Sequence, residues 1–255
     1  TSSAYAAPPT SASAESGALQ QRLSSIAAAA IQPVGISVTP VGGELADTVS
    51  AGDQSTQVAW STIKVPLAVA AERENGRSAS QTAAITQSDN AAAEALWASL
   101  GSDAQASAAV TAVLRDGKDP TTVVPSQHLR AGFTIFGQTQ WPLPNAATFT
   151  ANLPCIEGSA HVIDLMGQVA GNQQWGVEIM AAPRATAVKG GWGPGAMSGY
   201  LVRQIGLITY RDGSQTAIAL SSVGASMGSG IAALNAAANG LNKSLRLLPR
   251  GRCGR

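Results

Sequence analysis

Strand-like alternation of apolar and polar residues sits near both ends of the chain, and helical spacing fills the long middle. Residues 35–41 (GISVTPV) alternate, a Gly-Gly turn follows, and a weaker strand is expected at 48–52. At the other end, strand character returns at 175–182, 185–190, 200–210 and 215–223, with RDGS as a hairpin turn between the last two. Between these regions the pattern is helical at 61–75, 81–87, 90–100 and 104–115, irregular through 120–144, and helical again over 146–169. Strands separated in this way have to pair across the whole chain, with the helical block looped out between them.

Two further helices frame the sheet. Leu19, Leu23, Ile26 and Ile31 space a helix over 16–30 that stops before Pro33, and Ile231, Leu234, Ala238 and Leu241 space a closing helix. The expected architecture is α/β (α+β): a five-stranded antiparallel sheet flanked by terminal helices, with an inserted all-α subdomain. The boundaries are a tether at 1–15, a sheet domain from 16–58 and 172–245, the insertion at 59–171 and a tail at 246–255.

Composition narrows the function. With 16 Lys+Arg against 15 Asp+Glu and no Lys/Arg run, the chain lacks a basic face readable from sequence, which argues against nucleic acid or an anionic membrane as main partner. The longest apolar stretches, 26–31 and 65–71, fall well short of the roughly 20 residues that span a bilayer. The opening TSSAYAAPPTSASAES is Pro/Ser/Thr/Ala-rich and aperiodic, and it starts at Thr1 without Met. The expectation is a tether left after removal of a leader, suiting an exported, extracytoplasmic or cell-envelope protein with a possible lipid anchor upstream. Cys155 and Cys253 match no zinc or Cys-x-x-Cys spacing, so no metal or cofactor is expected. In an exported chain they suit one disulfide, favoured because Cys253 lies in a polar tail; two reduced cysteines are the other reading.

Three short motifs carry chemistry. In AWSTIKVPLAVAA, Ser61 and Lys64 share one helical face, so an amine stands beside a hydroxyl it can deprotonate. The bland alternative is a capping serine and a surface lysine. In AAITQSDNAAAEAL, Ser88, Asp89 and Asn90 precede a helix, where each residue type is also a good N-cap. In ATAVKGGWGPG, Lys189, Gly190 and Gly191 end a strand, leaving room for a substrate backbone beside a positive charge; an ordinary turn lysine is the alternative.

In combination and in this order, Ser-x-x-Lys, Ser-Asp-Asn and a strand ending Lys-Gly-Gly resemble the active-site set of the serine β-lactamases and penicillin-binding proteins, here as an alanine-rich, exported or lipoprotein-type member. The resemblance covers most of 35–241 and implies a β-lactamase/transpeptidase-like fold. It implies Ser61 as nucleophile, Lys64 as its proton partner and Ser88 as the relay to the leaving nitrogen. Asn90 and Lys189 would bind substrate together with Gly190, Gly191 and Trp192, Asp89 would brace the loop, and the Ser61 and Trp192 amides would form the oxyanion hole.

The chain departs from that family in three respects. Gly190 stands where the family carries a hydroxyl residue that holds the substrate carboxylate. No acidic residue occurs in 126–145, leaving Gln138 and Gln140 to orient a deacylating water without accepting its proton. Ser61 and Ser88 are only 27 positions apart, which implies a reduced α subdomain. Other candidates are mostly structural: His128 and His161 lack partners at ligand spacing, Trp60 suits either a cleft wall or the core, and 226–230 (SMGSG) suffices as a helix cap. Arg203 stands at even odds to replace the lost carboxylate contact. The expected activity is slow acyl-enzyme turnover on β-lactam, D-Ala-type peptide or ester bonds, by a monomer acting on a small-molecule or peptidoglycan-like substrate. The alternative is an inactive relative with a binding or scaffolding role.

Overall fold

The structure, a computed structural model, describes residues 11–254. In chain order its elements are α1 (Ser11–Ala28), β1 (Val34–Pro40), β2 (Val49–Gly52), β3 (Gln57–Val58) and α2 (Lys64–Asn75). Next come α3 (Ala79–Thr86), α4 (Asn90–Ser99), α5 (Asp103–Asp116), β4 (Gln140–Trp141), α6 (Leu143–Asn152) and α7 (Ala160–Met166). The chain closes with β5 (Ala185–Pro194), β6 (Tyr200–Thr209), β7 (Gln215–Gly224) and α8 (Met227–Lys243).

The five-stranded sheet has the order β2-β1-β7-β6-β5, every pair antiparallel. Thus β1, from the first part of the chain, pairs with β7, from the last, as strand-like runs at both ends require. On one face Ile36, Ile218, Leu220 and Val202 pack with Leu23 of α1 and Leu234 and Leu241 of α8. On the other, Ile205, Leu207, Ala217 and Ala219 pack with Phe149 and Ala146 of α6 and with the remaining helices. Small Ala side chains facing the helices let α6 lie close against β7.

Helix α2 is the centre of the α block. Its residues from Lys64 to Ala71 are all buried, so it has no solvent face over its first two turns. Around it, α3, α4 and α5 start at capping side chains: Ser78, Asp89 and Ser102 each accept a backbone N–H of the first turn.

Several sequence expectations need correction. Helix α1 begins at Ser11, inside the expected tether, whose residues 1–10 lie outside the described residues, and it ends at Ala28. Ile31 therefore falls past the helix and is 87% exposed. The stretch 175–182 is a 3-10 turn (Gly176–Ile179), because the Gly176 and Val177 N–H groups are taken by the side chains of Asn235 and Gln204 instead of a neighbouring strand. Strand β5 runs on past Gly190 to Pro194, and 146–169 is two helices separated by a 3-10 turn (Leu153–Cys155). The two-residue ladder β3–β4 was not foreseen, being too short to carry a period.

The two cysteines are joined: Cys155 and Cys253 form a disulfide with 5.3 Å between Cα atoms. Gly251 and Gln215 exchange both backbone hydrogen bonds, so the tail is also stitched to β7. The bridge spans 98 positions, so opening it restores much freedom to the unfolded chain. Cys155→Ser/Cys253→Ser is expected to lower unfolding free energy by about 2–4 kcal/mol in urea titration, with a lower midpoint and a steeper slope, since the unfolded chain without the bridge exposes more surface.

Candidate active site

Strand β5 is the edge of the sheet, and three of its glycines let other elements reach it. A Cβ on Gly191 would stand 2.9 Å from both Ala59 O and Ser61 N, so the turn carrying Ser61 packs directly on strand backbone. A Cβ on Gly193 would meet the Trp60 ring at 2.4 Å, and one on Gly190 the Trp175 ring at 2.7 Å. The turn itself (Trp60–Ile63) is held in a left-handed conformation at Trp60, φ 47°, an unfavourable state for an aromatic residue, fixed here by packing against β5 and Phe133.

Ser61 opens onto a cleft of about 310 Å³ whose walls also include Lys64, Ser88, Asn90, Trp192, Phe133 and Tyr200. Lys64 Nζ donates to the Ser88 carbonyl at 2.7 Å and to Asn90 Oδ1 at 2.8 Å, with Ser88 Oγ at 3.4 Å. Lys189 Nζ donates to Ser88 Oγ at 2.9 Å, to Gln173 Oε1 at 2.6 Å and to the Gly190 carbonyl at 2.8 Å. Ser88 is thus the hinge between two lysines, and its left-handed backbone, φ 56°, presents carbonyl and hydroxyl to them. Asp89 caps α4 through Ala92 N. Among the described residues, none of the Lys64 hydrogen bonds goes to Ser61.

Burial tunes both amines. Desolvation lowers the Lys64 pKa from its ordinary 10.5 to about 8, with Asp89 opposing. Lys189, fully buried, is driven well below 10.5 by desolvation and then by the charge of Lys64. A neutral amine beside a hydroxyl is a proton acceptor, and burial moves both lysines toward that form.

Ser61, Lys64, Ser88, Asn90 and Trp192 line one cleft, whose strand wall is Trp192, Gly193 and Pro194, and Lys189 reaches it through Ser88. Gly190 and Gly191 do not line it: Gly191 lies under the Ser61 turn and Gly190 faces the Trp175 ring. Arg203 does not line it. Fully buried, Arg203 donates from Nη1 to the carbonyls of Gln57, Val58 and Trp141, each at 3.1 Å, and so ties β3 and β4 behind the Ser61 turn. Gln138 and Gln140 do not line it either: Gln138 is buried with its carbonyl on Arg130, and Gln140 pairs with Val58 in the small ladder. Nearby in sequence, the buried Asp119 is occupied by Trp141 Nε1 and Asn145 Nδ2. Trp60 is both cleft wall and core, His128 sits on an exposed loop 3.0 Å from the Phe133 carbonyl, and Ser226 and Ser229 cap α8 reciprocally. Sequence reasoning missed Gln173, which accepts from Lys189 and from Gly190 N while donating to the carbonyls of Ile85 and Thr86. It also missed Trp175, whose ring fills the space beside Gly190.

A sheet split by an α block, with this cleft at its β5 edge, is the fold of class A β-lactamases and their penicillin-binding relatives. Solved structures make the likeness quantitative. The TLA-3 extended-spectrum β-lactamase superposes with a TM-score of 0.68 at 12% identity, covering 90% of this chain and 99% of that one. A β-lactamase from Chitinophaga pinensis gives 0.68 at 15% identity, covering 89% and 99%, and PBP-A gives 0.66 at 15%, covering 91% and 97%. No protein-family model matches the sequence, and no curated protein is significantly similar to it. The shared property is the fold.

Gly190→Thr would reinstate a hydroxyl residue but drive its Cβ into Trp175. It is expected to destabilise by about 1–3 kcal/mol. In a double-mutant cycle with Trp175→Ala the penalty should shrink, which urea titration of the four proteins measures. Lys64 holds its proton less tightly folded than unfolded, so between pH 8 and 10.5 the unfolded chain binds more protons and stability rises with pH. Thermal melts across that window should show the rise, and Lys64→Met should flatten it.

Proposed function

We propose that the protein is a serine acyl-enzyme that opens β-lactam, D-Ala-type peptide or ester bonds and turns over slowly. The observation that carries this reading is Ser88 Oγ held between Lys64 and Lys189 in the cleft that also exposes Ser61. In the reaction, Ser61 Oγ attacks the carbonyl carbon and its proton passes to neutral Lys64. The oxyanion is met by the N–H groups of Ser61 and Trp192, the latter on the free edge of the sheet. Collapse breaks the carbon–nitrogen bond; the nitrogen takes a proton from Ser88 Oγ, which the lysines replenish with the proton first lost by Ser61. The result is an ester on Ser61 and an amine, released from a peptide but retained on the opened ring of a β-lactam; with an ester substrate the carbon–oxygen bond breaks instead and the protonated leaving group is an alcohol.

Hydrolysis of that ester needs a water held against a base. Residues 126–145 contain no carboxylate, none of their three glutamines lines the cleft, and Asp119 is committed to Trp141 and Asn145. The acyl-enzyme is therefore long-lived. A disulfide supports an oxidising, extracytoplasmic compartment as the working place. A second reading, an inactive binding protein, is favoured by one observation: Lys64 is engaged by the Ser88 carbonyl and Asn90 instead of Ser61.

Intact-mass spectrometry after incubation with a fluorescent penicillin separates the two. A stoichiometric adduct that forms in a burst, persists, and is abolished by Ser61→Ala is expected. Because Lys64 must be neutral, the rate of adduct formation should climb with pH toward a plateau above about 8. Absence of any adduct, with penicillin or a fluorophosphonate, favours the binding role; rapid hydrolysis abolished by Ser61→Ala would mean that a base outside 126–145 serves deacylation.

A further inference from the structure

At the opposite end of β6 from the candidate active site lies a larger concavity. Tyr200 lines the catalytic cleft, Tyr210 lines the second groove, and ten residues of strand separate the two by about 30 Å. The groove measures about 860 Å³ and gathers Arg22 from α1, Arg211 from the β6–β7 turn, Lys243 from the end of α8, and Arg246 and Arg250 beyond it. These five cations are scattered through the sequence, so no Lys/Arg run announces them; folding brings them together.

Their charge is compensated only in part, by Asp212, whose carboxylate feels Arg250. Among the described residues none of the five lies within 4.0 Å of a carboxylate. The one acidic residue in the lining, Asp212, already accepts from the Ser214 hydroxyl and amide and lies 3.9 Å from Arg252. Two of the arginines are also held in place before any ligand arrives. Arg22 Nε donates to Ser244 Oγ at 2.6 Å, and the Arg250 guanidinium lies 3.7 Å from the centre of the Tyr210 ring. Preorganised guanidinium groups lose less freedom on binding, and their forked N–H groups match the oxygens of phosphate.

We propose that this groove is a second binding site, for a polyvalent phosphate chain. Four guanidinium groups and one ammonium make a wall rich in donors and poor in acceptors, which suits groups carrying several unprotonated oxygens each. A single monovalent anion would leave most of these donors idle, whereas successive phosphates along one chain engage them together. The wall is concave, so a flexible chain enters it while a flat bilayer meets only its rim. This site stands independently of the acyl-enzyme reading, since none of its residues touches the catalytic cleft.

The test is calorimetric titration of the full chain with inorganic tripolyphosphate and a longer polyphosphate at about 0.15 M salt, where weak surface attraction is screened. Binding that weakens as salt rises is expected. Arg211→Glu/Arg246→Glu should weaken it about tenfold or more, while Arg73→Glu/Arg77→Glu, the same charge change far from the groove, leaves it within about twofold. Melting curves verify that both variants fold. A single-stranded oligonucleotide and a polyol-phosphate chain, compared at equal phosphate content, identify the source of the phosphate, and binding of either one supports the proposal. No binding of polyphosphate, equal loss in both variants, or tighter binding of polyglutamate or of anionic lipid vesicles would overturn it.

Discussion

The candidate site depends on how closely the Ser61 turn approaches the edge strand β5. Backbone meets backbone there: a single added carbon at Gly191 would intrude on Ala59 O and Ser61 N. Trp60 is forced into a left-handed conformation by the same approach, with its ring laid on Gly193. From behind, Arg203 grips the carbonyls of Gln57 and Val58 just ahead of that turn. The Ser61 turn is therefore clamped between strand backbone on one side and a buried guanidinium on the other. A strained turn persists only where its surroundings over-determine it in this way.

The second constraint is electrostatic. Helix α2 is buried over its first two turns, and Lys64 opens it, so an amine is carried into a low-dielectric interior by the packing of its own helix. A second amine, Lys189, arrives on β5 from across the cleft. Two ammonium ions so close to one hydroxyl repel each other, and burial already disfavours the charge on each, so both shed protons readily. Gln173 makes this arrangement tolerable by accepting from Lys189 and Gly190 N while donating to the end of α3. Gly190 has a local cause, since the Trp175 indole occupies the space that a side chain there would need.

The architecture was legible because strand periodicity at both ends of a chain leaves few ways to bury it. That Ser61, Lys64, Ser88 and Lys189 come together was legible from the types and order of three short motifs, and the structure does gather them around one cleft. Gln173 and Trp175 were not, since they lie in a segment whose backbone partners are side chains from β6 and α8, distant in sequence. Alternation around Val177 imitates a strand, yet Gly176 at φ 62° and the Gln204 side chain turn it into a 3-10 segment. Arg203 was unresolved because alternation gives the face of a strand but not what covers that face. Here β3 and β4 cover it, a ladder of two residues each.

A net charge of +1 conceals how differently burial treats the cations of this fold. In the candidate cleft the buried cations are lysines, and desolvation lowers their proton affinity. Behind that cleft Arg203 is equally buried, but its pKa, lowered only to about 10, leaves it charged at neutral pH and able to hold three carbonyls. At the far end of β6, Arg22, Arg211, Arg246 and Arg250 line a groove together with Lys243. Burial therefore acts differently on the two residue types: the buried lysines of the cleft are pushed toward losing a proton, while the buried Arg203 keeps enough proton affinity to stay charged. A count of basic residues does not show that difference.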